Sequence, residues 1–568
     1  MYIATVPNRG SRPAILLREG YREGGQVKNR TLANLSAWPP AKVELLRRVL
    51  RDEHLAPVDQ LFAVVASPHH GHVQAVRLAM RRLGFEALLA SRPSRERALV
   101  VAMVAARILA PESKLATTRW WHTTTLPVDL GVADADEDAL YAAMDWLLAR
   151  QARIEQKLAA RHLRAGGLVL YDLTSSYFEG TTCPLAAFGH DRDGKAGKLQ
   201  VNYGLLSDAR GCPVAVSVVP GNTGDPTTLL PAVTRVRTDF GIEQLVLVGD
   251  RGLISQTQIT ALKALEGVDW ITALKTGAIR ALVTGGHLQL GLFDERNLFE
   301  LTSPDFPGER LVACRNPELA QLRRHKREAL LAATTQELER VRGMVARGRL
   351  QGQDAIGVRV GKVVNKYKVA KHFRLDIRAD GFDFVIDAPQ VAAEAALDGL
   401  YVIRTSVPPA RLGAADAVRS YKQLSQVERA FRTLKTIDLE VRPIHHRLAD
   451  RVRAHIFLCL LAYYVEWHMR EAWRPLVFAD EDRAAKTTRD PVAPAARSEA
   501  ALRKVHTKIL DDGTAVHSFR TLLTELSGIV RNICRRQGAA ADEPTFTMLT
   551  TPNAKQQRAY DLLETITV

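Results

Sequence analysis

The pattern of hydrophobic and polar positions changes near Gly166, from helical spacing before it to short apolar runs after it. Apolar and β-branched residues fill positions 168–177, 200–206 and 214–219, with glycine-containing turns between them, which predicts three consecutive antiparallel strands. Helix and strand patterns then alternate at 226–240, 244–248, 256–265 and 268–274. The predicted fold class is therefore α/β, with a mixed sheet in the order three strands, helix, strand, helix, strand.

The same pattern divides the rest of the chain. Before residue 166 it begins with β-like stretches near Ala14 and becomes mostly helical. Beyond Thr276, short β segments flank a charged helix near 317–349, and a long helix follows Gly413. We predict a helical region at 1–165, a core in two parts at 166–282 and 406–475, a β-rich insertion domain at 283–405, and a helical, polar region at 476–568.

The net positive charge of the chain indicates what kind of molecule it binds. Lysine and arginine exceed aspartate and glutamate by 78 − 62 = 16, and the sequence pI is near 9.7, which favours a polyanion such as nucleic acid or an acidic membrane surface. The longest apolar run, 456–465, has ten residues where a membrane span needs about 20, and the amino terminus lacks a secretory apolar region. We therefore expect a cytoplasmic protein without a membrane partner.

Cysteine and histidine patterns add no metal site at this stage. The five cysteines lie far apart with no Cys-x-x-Cys pair, which argues against a disulfide framework and a structural zinc site. The cluster His69, His70 and His72 follows Pro68, and a solvated loop is the favoured interpretation over a metal site.

Two aspartates occupy strand positions where an isolated charge is costly. Asp172 lies inside the apolar strand 168–174 on the same side as Leu170, and an unpaired carboxylate there costs several kcal/mol. Asp250 ends the strand 245–250, at the carboxyl end where open α/β sheets bind ligands. Both positions suit a metal-facing role.

A third carboxylate lies on the late helix. Glu428 shares one apolar stripe with Tyr421, Leu424, Phe431 and Lys435, which recur at spacings of three and four. On its own, Glu428 is explained either by an ion pair with Arg432, four residues on, or by catalysis. Together with the two aspartates it predicts a site for hard cations, which prefer carboxylate oxygens. Two such ions can activate the attacking oxygen and stabilise the leaving oxygen of a phosphodiester.

Three blocks resemble the DDE-class transposases of bacterial insertion sequences. They are YDLTS at 171–175, VGDRG at 248–252 and YKQLSQVERAFRTLK at 421–435. In the subgroup with a β-rich insertion, the last block has the pattern Tyr, two residues, Arg, three residues, Glu, six residues, Lys, which Tyr421, Glu428 and Lys435 match. Leu424 stands at the arginine position, which puts one expected phosphate or flipped-base contact in doubt.

The resemblance implies a ribonuclease-H-like core interrupted by the insertion. It also implies that Asp172, Asp250 and Glu428 hold two Mg²⁺ ions, for which Mn²⁺ can substitute. The implied activity is cleavage at insertion-sequence ends followed by strand transfer into target DNA. The implied partners are terminal inverted repeats, target DNA and a second copy of the chain on paired ends, and the implied location is the bacterial nucleoid. Residues 1–165 would bind the DNA ends.

Several side chains are candidate DNA contacts, each with a structural alternative. Tyr421 and Lys435 would grip phosphates, or be a core aromatic and a solvated helix end. Arg251 would neutralise phosphate charge or pair with a carboxylate, and Tyr401 would stack on a base or pack in a strand. The remaining candidates are Arg432, Lys366, Lys368 and Arg447, the last within a charged stretch at 442–453. The loop 190–198 is a hairpin turn first and a DNA contact second.

Two other functions compete with this hypothesis. A catalytically inactive DNA-binding protein would show salt-dependent binding without metal-dependent cleavage. A ribonuclease-H-like nuclease would cut DNA but would not join it.

Overall fold

The computed structural model describes residues 1–53, 61–480, 482, 489–493 and 496–568. The chain forms two compact units, one of Met1–Pro68 with Val530–Thr550 and one of His69–Ile529 with Thr551–Val568. None of the described helices is long and apolar enough to cross a membrane. The predicted regions 1–165 and 476–568 include residues 54–60, 481, 483–488 and 494–495, which lie outside the described residues.

The smaller unit contains two three-stranded antiparallel sheets and one helix. The first sheet consists of β1 (Tyr2–Asn8), β2 (Ser11–Glu23) and β3 (Gln26–Asn34). The helix is α1 (Pro40–Val49), whose buried residue is Val43. The second sheet has the order β16-β15-β4 and consists of β4 (Phe62–Ala66), β15 (Arg531–Arg536) and β16 (Phe546–Leu549).

The larger unit begins with seven helices before its sheet. They are α2 (Gly71–Arg82), α3 (Phe85–Leu89), α4 (Arg95–Leu109), α5 (Lys114–Trp120), α6 (Leu126–Asp129), α7 (Glu137–Leu148) and α8 (Gln151–His162). The helical interpretation of this stretch is confirmed, but the solvated loop expected at the histidine cluster is wrong. His70 and His72 are buried, because α2 begins at Gly71 and carries eight buried residues into the core.

An eight-stranded mixed sheet follows, and its first five strands lie where the sequence predicted them. They are β5 (Leu168–Tyr177), β6 (Gln200–Asp208), β7 (Pro213–Pro220), β8 (Leu245–Val248) and β9 (Val268–Ala273). The helices α9 (Leu229–Thr238) and α10 (Gln256–Lys263) separate the last three. The strands β5, β6 and β7 pair antiparallel, whereas β5, β8 and β9 pair parallel, so the predicted mixed sheet is confirmed.

The segment 283–405 differs from the separate β-rich domain that the sequence predicted. Its strands are β10 (Leu298–Leu301), β11 (Arg310–Arg315), β12 (Phe373–Ile377), β13 (Phe382–Ile386) and β14 (Leu400–Thr405). Three of these extend the main sheet, whose order is β10-β11-β14-β9-β8-β5-β6-β7. Only β12 and β13 form a sheet of their own. The pairing of β14 with β9 joins residues more than 130 positions apart, which local patterns do not reveal.

Helices account for more of this segment than strands do. They are α11 (Thr276–Thr284), α12 (Pro317–Ala346), α13 (Gln353–Tyr367) and α14 (Ala388–Ala395). Asn316 caps α12 by accepting a hydrogen bond from the backbone N–H of Leu319, with Pro317 at the first position. Leu338, Val341, Ile356 and other apolar residues of α12 and α13 form a core with the β12–β13 hairpin that is separate from the main core.

The late helix is divided into two parts. The part α15 (Ala414–Lys422) precedes α16 (Leu424–Arg432), and a π-helical turn, Thr433–Ile437, follows. The backbone N–H of Gln423 donates to the carbonyls of Arg419 and Ser420, and this tightening separates α15 from α16. The apolar run 456–465 lies in α17 (Ala449–Ala472), which packs in the main core. The final helices are α18 (Glu499–Thr507), α19 (Phe519–Ser527) and α20 (Ala554–Glu564).

Candidate active site

The register of two parallel strands places Asp172 beside Asp250. Leu170 of β5 pairs with Val248 of β8, and each aspartate comes two residues later along the chain. Residues two apart face the same side of an extended strand, and neighbouring strands lie about 4.8 Å apart. The local sequence around each aspartate therefore brings the two carboxylates to the same edge of the sheet.

Glu428 reaches the same place from the helix that covers this face. The helix α16 packs on β5, and the ring of Phe431 contacts that of Tyr203 edge-on, with centroids 6.0 Å apart. Asp172, Asp250 and Glu428 all line one cleft of about 400 Å³. The charged residues that line this cleft are Asp172, Arg192, Asp193, Asp225, Asp250, Glu428, Arg432, Lys435 and Arg442.

Asp172 is half-buried at the cleft, and its carboxyl group is hard to ionise. Burial, together with the charges of Asp250 and Glu428, raises the pKa of Asp172 to about 7. The backbone N–H of Leu173, which donates to Asp172 Oδ1 at 2.8 Å, and the charge of Arg192 partly offset this rise. An added cation would relieve the repulsion among the three carboxylates.

Asp250 is held by the turn that follows β8. Its Oδ1 accepts hydrogen bonds from the backbone N–H groups of Gly252 and Leu253. A Cβ atom at Gly252 would lie 2.9 Å from that oxygen, closer than real Cβ contacts allow. Glycine is therefore needed at position 252 for the Asp250 carboxylate to lie against the turn.

Glu428 is exposed, but it faces the cleft that the aspartates share. In the part of the chain that the structure describes, Glu428 forms no salt bridge, so the predicted alternative of an ion pair with Arg432 is not formed. Arg432 is also exposed and lines the cleft. The carboxylate of Glu428 is thus available to a cation, and the guanidinium of Arg432 to an anion.

Lys435 is neither a solvated helix end nor a free phosphate contact. It is 8% exposed, and its Nζ donates to Asp193 Oδ1 at 2.9 Å. Arg442 forms a salt bridge with the same carboxylate, and the backbone N–H of Tyr177 donates to its other oxygen at 3.0 Å. The alternative of a solvated helix end is wrong, because the π-helical turn directs Lys435 inward.

The loop 190–198 contributes more to the cleft than a hairpin turn does. It brings Arg192 and Asp193 into the cleft wall, where Arg192 pairs with Asp225 at 2.5 Å. One guanidinium nitrogen of Arg192, Nη1, is buried and lacks a hydrogen-bond partner among the described residues. Sequence reasoning did not select Arg192, Asp193, Asp225 or Arg442 as site residues. The alternation of acidic and basic side chains at 191–193 was the available signal.

Tyr421 and Arg251 lie beside the carboxylates. Burial and the charge of Asp250, partly offset by that of Arg251, raise the pKa of Tyr421 to about 12. Tyr421 is half-buried, so its exposure does not decide between the two predicted alternatives, a core aromatic and a phosphate contact. Arg251 is exposed and forms no salt bridge among the described residues. The predicted alternative, in which Arg251 pairs with a carboxylate, is therefore not observed.

The remaining candidates lie away from the cleft lining. Tyr401 pairs with Cys314 in the β11–β14 ladder, and its hydroxyl is buried, as expected of a strand aromatic. Lys366 and Lys368 are exposed at the end of α13, where Lys366 lies 3.8 Å from Glu337. Arg447 is exposed in the stretch that follows Arg442. The structure does not bring these four residues into the cleft with the carboxylates.

Two family models match the chain. One, described as "Transposase DDE domain", matches residues 167–465, which is more than half of the 568 residues and includes all three carboxylates. The other, described as "IS1634 family transposase, N-terminal domain", matches residues 3–57. No curated protein matches the chain.

Solved structures offer only a distant similarity. A piggyBac transposase synaptic complex with hairpin DNA is 8% identical, with a TM-score of 0.33, over 80% of this chain and 77% of that one. A Mos1 transposase paired-end complex with the left transposon end is 9% identical, with a TM-score of 0.14, over 32% of this chain and 60% of that one. At these TM-scores, nothing about the site follows from either comparison.

Proposed function

Because this chain belongs to the family of DDE-domain transposases of insertion sequences, we propose that Asp172, Asp250 and Glu428 are its catalytic carboxylates and that they hold two Mg²⁺ ions. Transposases of this family cleave DNA, transfer strands and depend on divalent metal ions. The observation that carries the proposal is that three carboxylates from distant parts of the chain line one cleft.

The donor set fits a hard divalent cation. All three side chains offer carboxylate oxygens, which Mg²⁺ and Mn²⁺ prefer over nitrogen or sulfur. The raised pKa of Asp172 reflects burial and two neighbouring negative charges, an arrangement that favours a bound cation. The absence of a salt bridge to Glu428 among the described residues leaves that carboxylate free to bind a metal.

The residues of the cleft divide the work of phosphodiester chemistry among them. When bound, the metal ions would lower the pKa of the attacking oxygen and stabilise the leaving oxygen. The turn 250–253 fixes the Asp250 carboxylate through its backbone N–H groups. Glu428 is carried by α16, which packs against β5. Arg432 would neutralise phosphate charge across the cleft. In the first step water would bond to the phosphorus at the element's end and displace the 3′ oxygen, which leaves as a hydroxyl after taking up a proton. In the second step that 3′ hydroxyl would lose its proton, bond to a phosphorus of target DNA and displace the target's own 3′ oxygen, which takes up a proton.

DNA contacts are proposed at two places. At the cleft, Arg251, Arg432 and Tyr421 would hold the phosphates next to the cut. On the segment 283–405, the exposed ammonium groups of Lys366 and Lys368 would contact the backbone further along. Arg447 is exposed and follows the cleft residue Arg442 in the sequence, and it would contact the same DNA strand.

The finer architecture also belongs to this proposal. We assign the mixed sheet with α16 to a ribonuclease-H-like core, split by residues 283–405. The region 1–165 would bind the ends of the element, to which the match of residues 3–57 to a transposase N-terminal domain lends support. A homodimer would hold terminal inverted repeats as a pair, and residues 476–568 would contribute to it or to DNA contacts.

The test compares cleavage with binding. Asp172→Asn and Glu428→Gln should abolish Mg²⁺-dependent nicking and joining of DNA carrying the element's ends while retaining DNA binding. The matched control is Asp416→Asn, an exposed carboxylate on α15 that pairs with Arg419 outside the cleft and should leave nicking unchanged. Wild-type nicking by either active-site variant would refute the catalytic assignment. Joining of precleaved ends separates a transposase from a nuclease that only cuts.

A further inference from the structure

A second cluster of metal-ligating side chains lies outside the cleft. It consists of His162 at the end of α8, Cys212 in the turn between β6 and β7, and His468 on α17. One ligand atom from each lies within 4.8 Å of the other two, and the Cys212 Sγ is 3.8 Å from the His468 Nε2. Cys212 and His468 are buried, and His162 is half-buried. None of the three lines the cleft of the carboxylates.

We propose that His162, Cys212 and His468 bind one Zn²⁺ ion, with a fourth position left to water. A tetrahedral zinc site with bonds of about 2.3 Å to sulfur and about 2.0 Å to nitrogen places neighbouring ligand atoms about 3.5 Å apart, close to the separation of Cys212 and His468. A thiolate and two imidazoles select zinc over magnesium, because Mg²⁺ prefers oxygen ligands. The molecule would then hold two chemically distinct metal sites.

The protonation states suit this role. Burial lowers the pKa of His162 to about 4 and that of His468 to about 3, so both imidazoles are neutral at pH 7 and have a lone pair to donate. Burial raises the pKa of the Cys212 thiol, so this residue enters the site as a thiol. Metal binding would break the S–H bond, leave the electron pair on the sulfur that bonds the metal, and release one proton to solvent.

One neighbouring cation competes with the metal. Arg210 lies 3.4 Å from His162 Nδ1, and the other ring nitrogen, Nε2, is 3.0 Å from the Tyr464 hydroxyl. The contact with Arg210 is long, and the Arg210 side chain is more than half exposed, so its Nη2 can turn away from His162 while its Nε still donates to the buried Asp208 carboxylate. Asp208, paired with Arg210 at 2.8 Å, offsets part of the positive charge.

The site would join three elements that are distant in sequence. The helix α8 immediately precedes β5, the turn carrying Cys212 connects β6 to β7, and α17 crosses the main core. The spacing of the cysteines excluded a zinc site of the Cys-x-x-Cys kind, but here the single thiol is completed by histidines 50 positions before it and 256 after it. Bound zinc would therefore stabilise the sheet that carries Asp172 without taking part in catalysis.

Cobalt provides a spectroscopic probe for this site. The full-length chain, purified without a histidine tag and stripped with a chelator, should bind Co²⁺ with a thiolate charge-transfer band in the near ultraviolet and intense visible bands of tetrahedral cobalt, and these bands should saturate at one thiolate-bound ion per chain. Zn²⁺ should displace the cobalt, and binding should release protons. Cys212→Ser should abolish the near-ultraviolet band, whereas Cys183→Ser, which replaces another buried cysteine, should retain it.

Two more variants keep the test decisive if Cys212→Ser does not fold. His162→Gln, at the half-buried ligand, should weaken Co²⁺ binding, and Arg210→Ala, which removes the competing cation, should strengthen it about tenfold. Absence of the charge-transfer band in the folded wild-type protein, or a band that persists in Cys212→Ser, would overturn the zinc site. Neither result bears on the carboxylates, because Asp172→Asn should leave the cobalt spectrum unchanged.

Discussion

Lys435 donates to Asp193 Oδ1 at 2.9 Å across 242 positions of sequence, and both side chains are buried. Arg442 pairs with the same carboxylate. The lysine that the late-helix motif places two turns after Glu428 thus secures the loop 190–198 against the cleft wall. In this conformation it positions the site and does not project into solvent.

This pairing predicts an order of stability losses. Asp193→Asn leaves the buried Lys435 and the half-buried Arg442 without their carboxylate and should lower the free energy of unfolding by about 3–5 kcal/mol. Lys435→Met should cost less, because Arg442 still pairs with Asp193. Urea unfolding measures both, and Asp191→Asn, which alters the exposed neighbouring carboxylate, is the control. A Lys435→Met variant of unchanged stability but weakened DNA binding would contradict the positioning role.

The turn after β8 predicts an effect on catalysis without loss of the fold. Gly252→Ala would push a methyl group against Asp250 Oδ1, so the carboxylate must move. A displacement of about 1 Å in a catalytic group can cost about 100-fold in rate, and we expect a cleavage rate reduced by about that factor. Gly277→Ala is the matched control, because no atom lies within 4 Å of its added Cβ. Equal cleavage rates in the two variants would show that the position of Asp250 is not critical.

The exposed arginines at the cleft predict a change in the salt dependence of DNA binding. If Arg251 and Arg432 each contact one phosphate, each alanine substitution should reduce the slope of log K against log salt by about one. Arg95→Ala, at an arginine of α4 that pairs with Asp134, should leave the slope unchanged. Titrations at four or more salt concentrations measure the slope, and an unaltered slope in both cleft variants would remove them from the DNA contacts.

Buried histidines predict a loss of stability in mild acid. Burial lowers the pKa of His72 to about 4 and that of His446 to about 3, and it also lowers the pKa of His455 well below its ordinary value. The cations Lys114 and Arg107 add to the effect on His446 and His455. Because the unfolded chain takes up protons on these histidines below about pH 6.5 and the folded chain does not, their contribution to stability is complete above that pH and declines below it.

The expected slope is about 1.4 kcal/mol per pH unit for each histidine that stays neutral. Unfolding measured from pH 8 to pH 5 should show it, and His72→Gln should reduce it by one histidine's share. The comparison at pH 8 isolates any packing cost of the substitution, since both proteins carry a neutral side chain there. Equal pH slopes of the free energy of unfolding in the wild type and in His72→Gln between pH 6.5 and 5 would contradict the assignment.

Local patterns were sufficient for the elements that carry the carboxylates. Asp172 and Asp250 stand on short apolar strands, and Glu428 interrupts an apolar stripe at helical spacing, so each position follows from its immediate neighbours. The predicted order of strands and helices from β5 to β9 is confirmed for the same reason. The catalytic roles of these residues stay a prediction for the experiments above.

Long-range pairing accounts for what the sequence did not show. Asp193 pairs with Lys435 and Arg442, which lie more than 240 positions later in the chain. The sequence around each of these residues does not differ from that of a solvated loop or helix end. Arg327 illustrates the same limit, since it ends the basic stretch RRHKR at 323–327 but is buried in a two-pronged salt bridge with Asp398. From the local sequence alone, a charged residue that pairs with a distant residue cannot be distinguished from one exposed at the surface.

The pairing of β14 with β9 bears on how this protein can be redesigned. Since β14 leads directly into the helices that carry Glu428, cutting out residues 283–405 as a block would take away the strand on which that glutamate depends for its placement. The α12–α13 hairpin has its own apolar core and is a better segment to replace than the whole of 283–405. Replacing this hairpin alone leaves every strand of the eight-stranded sheet in place.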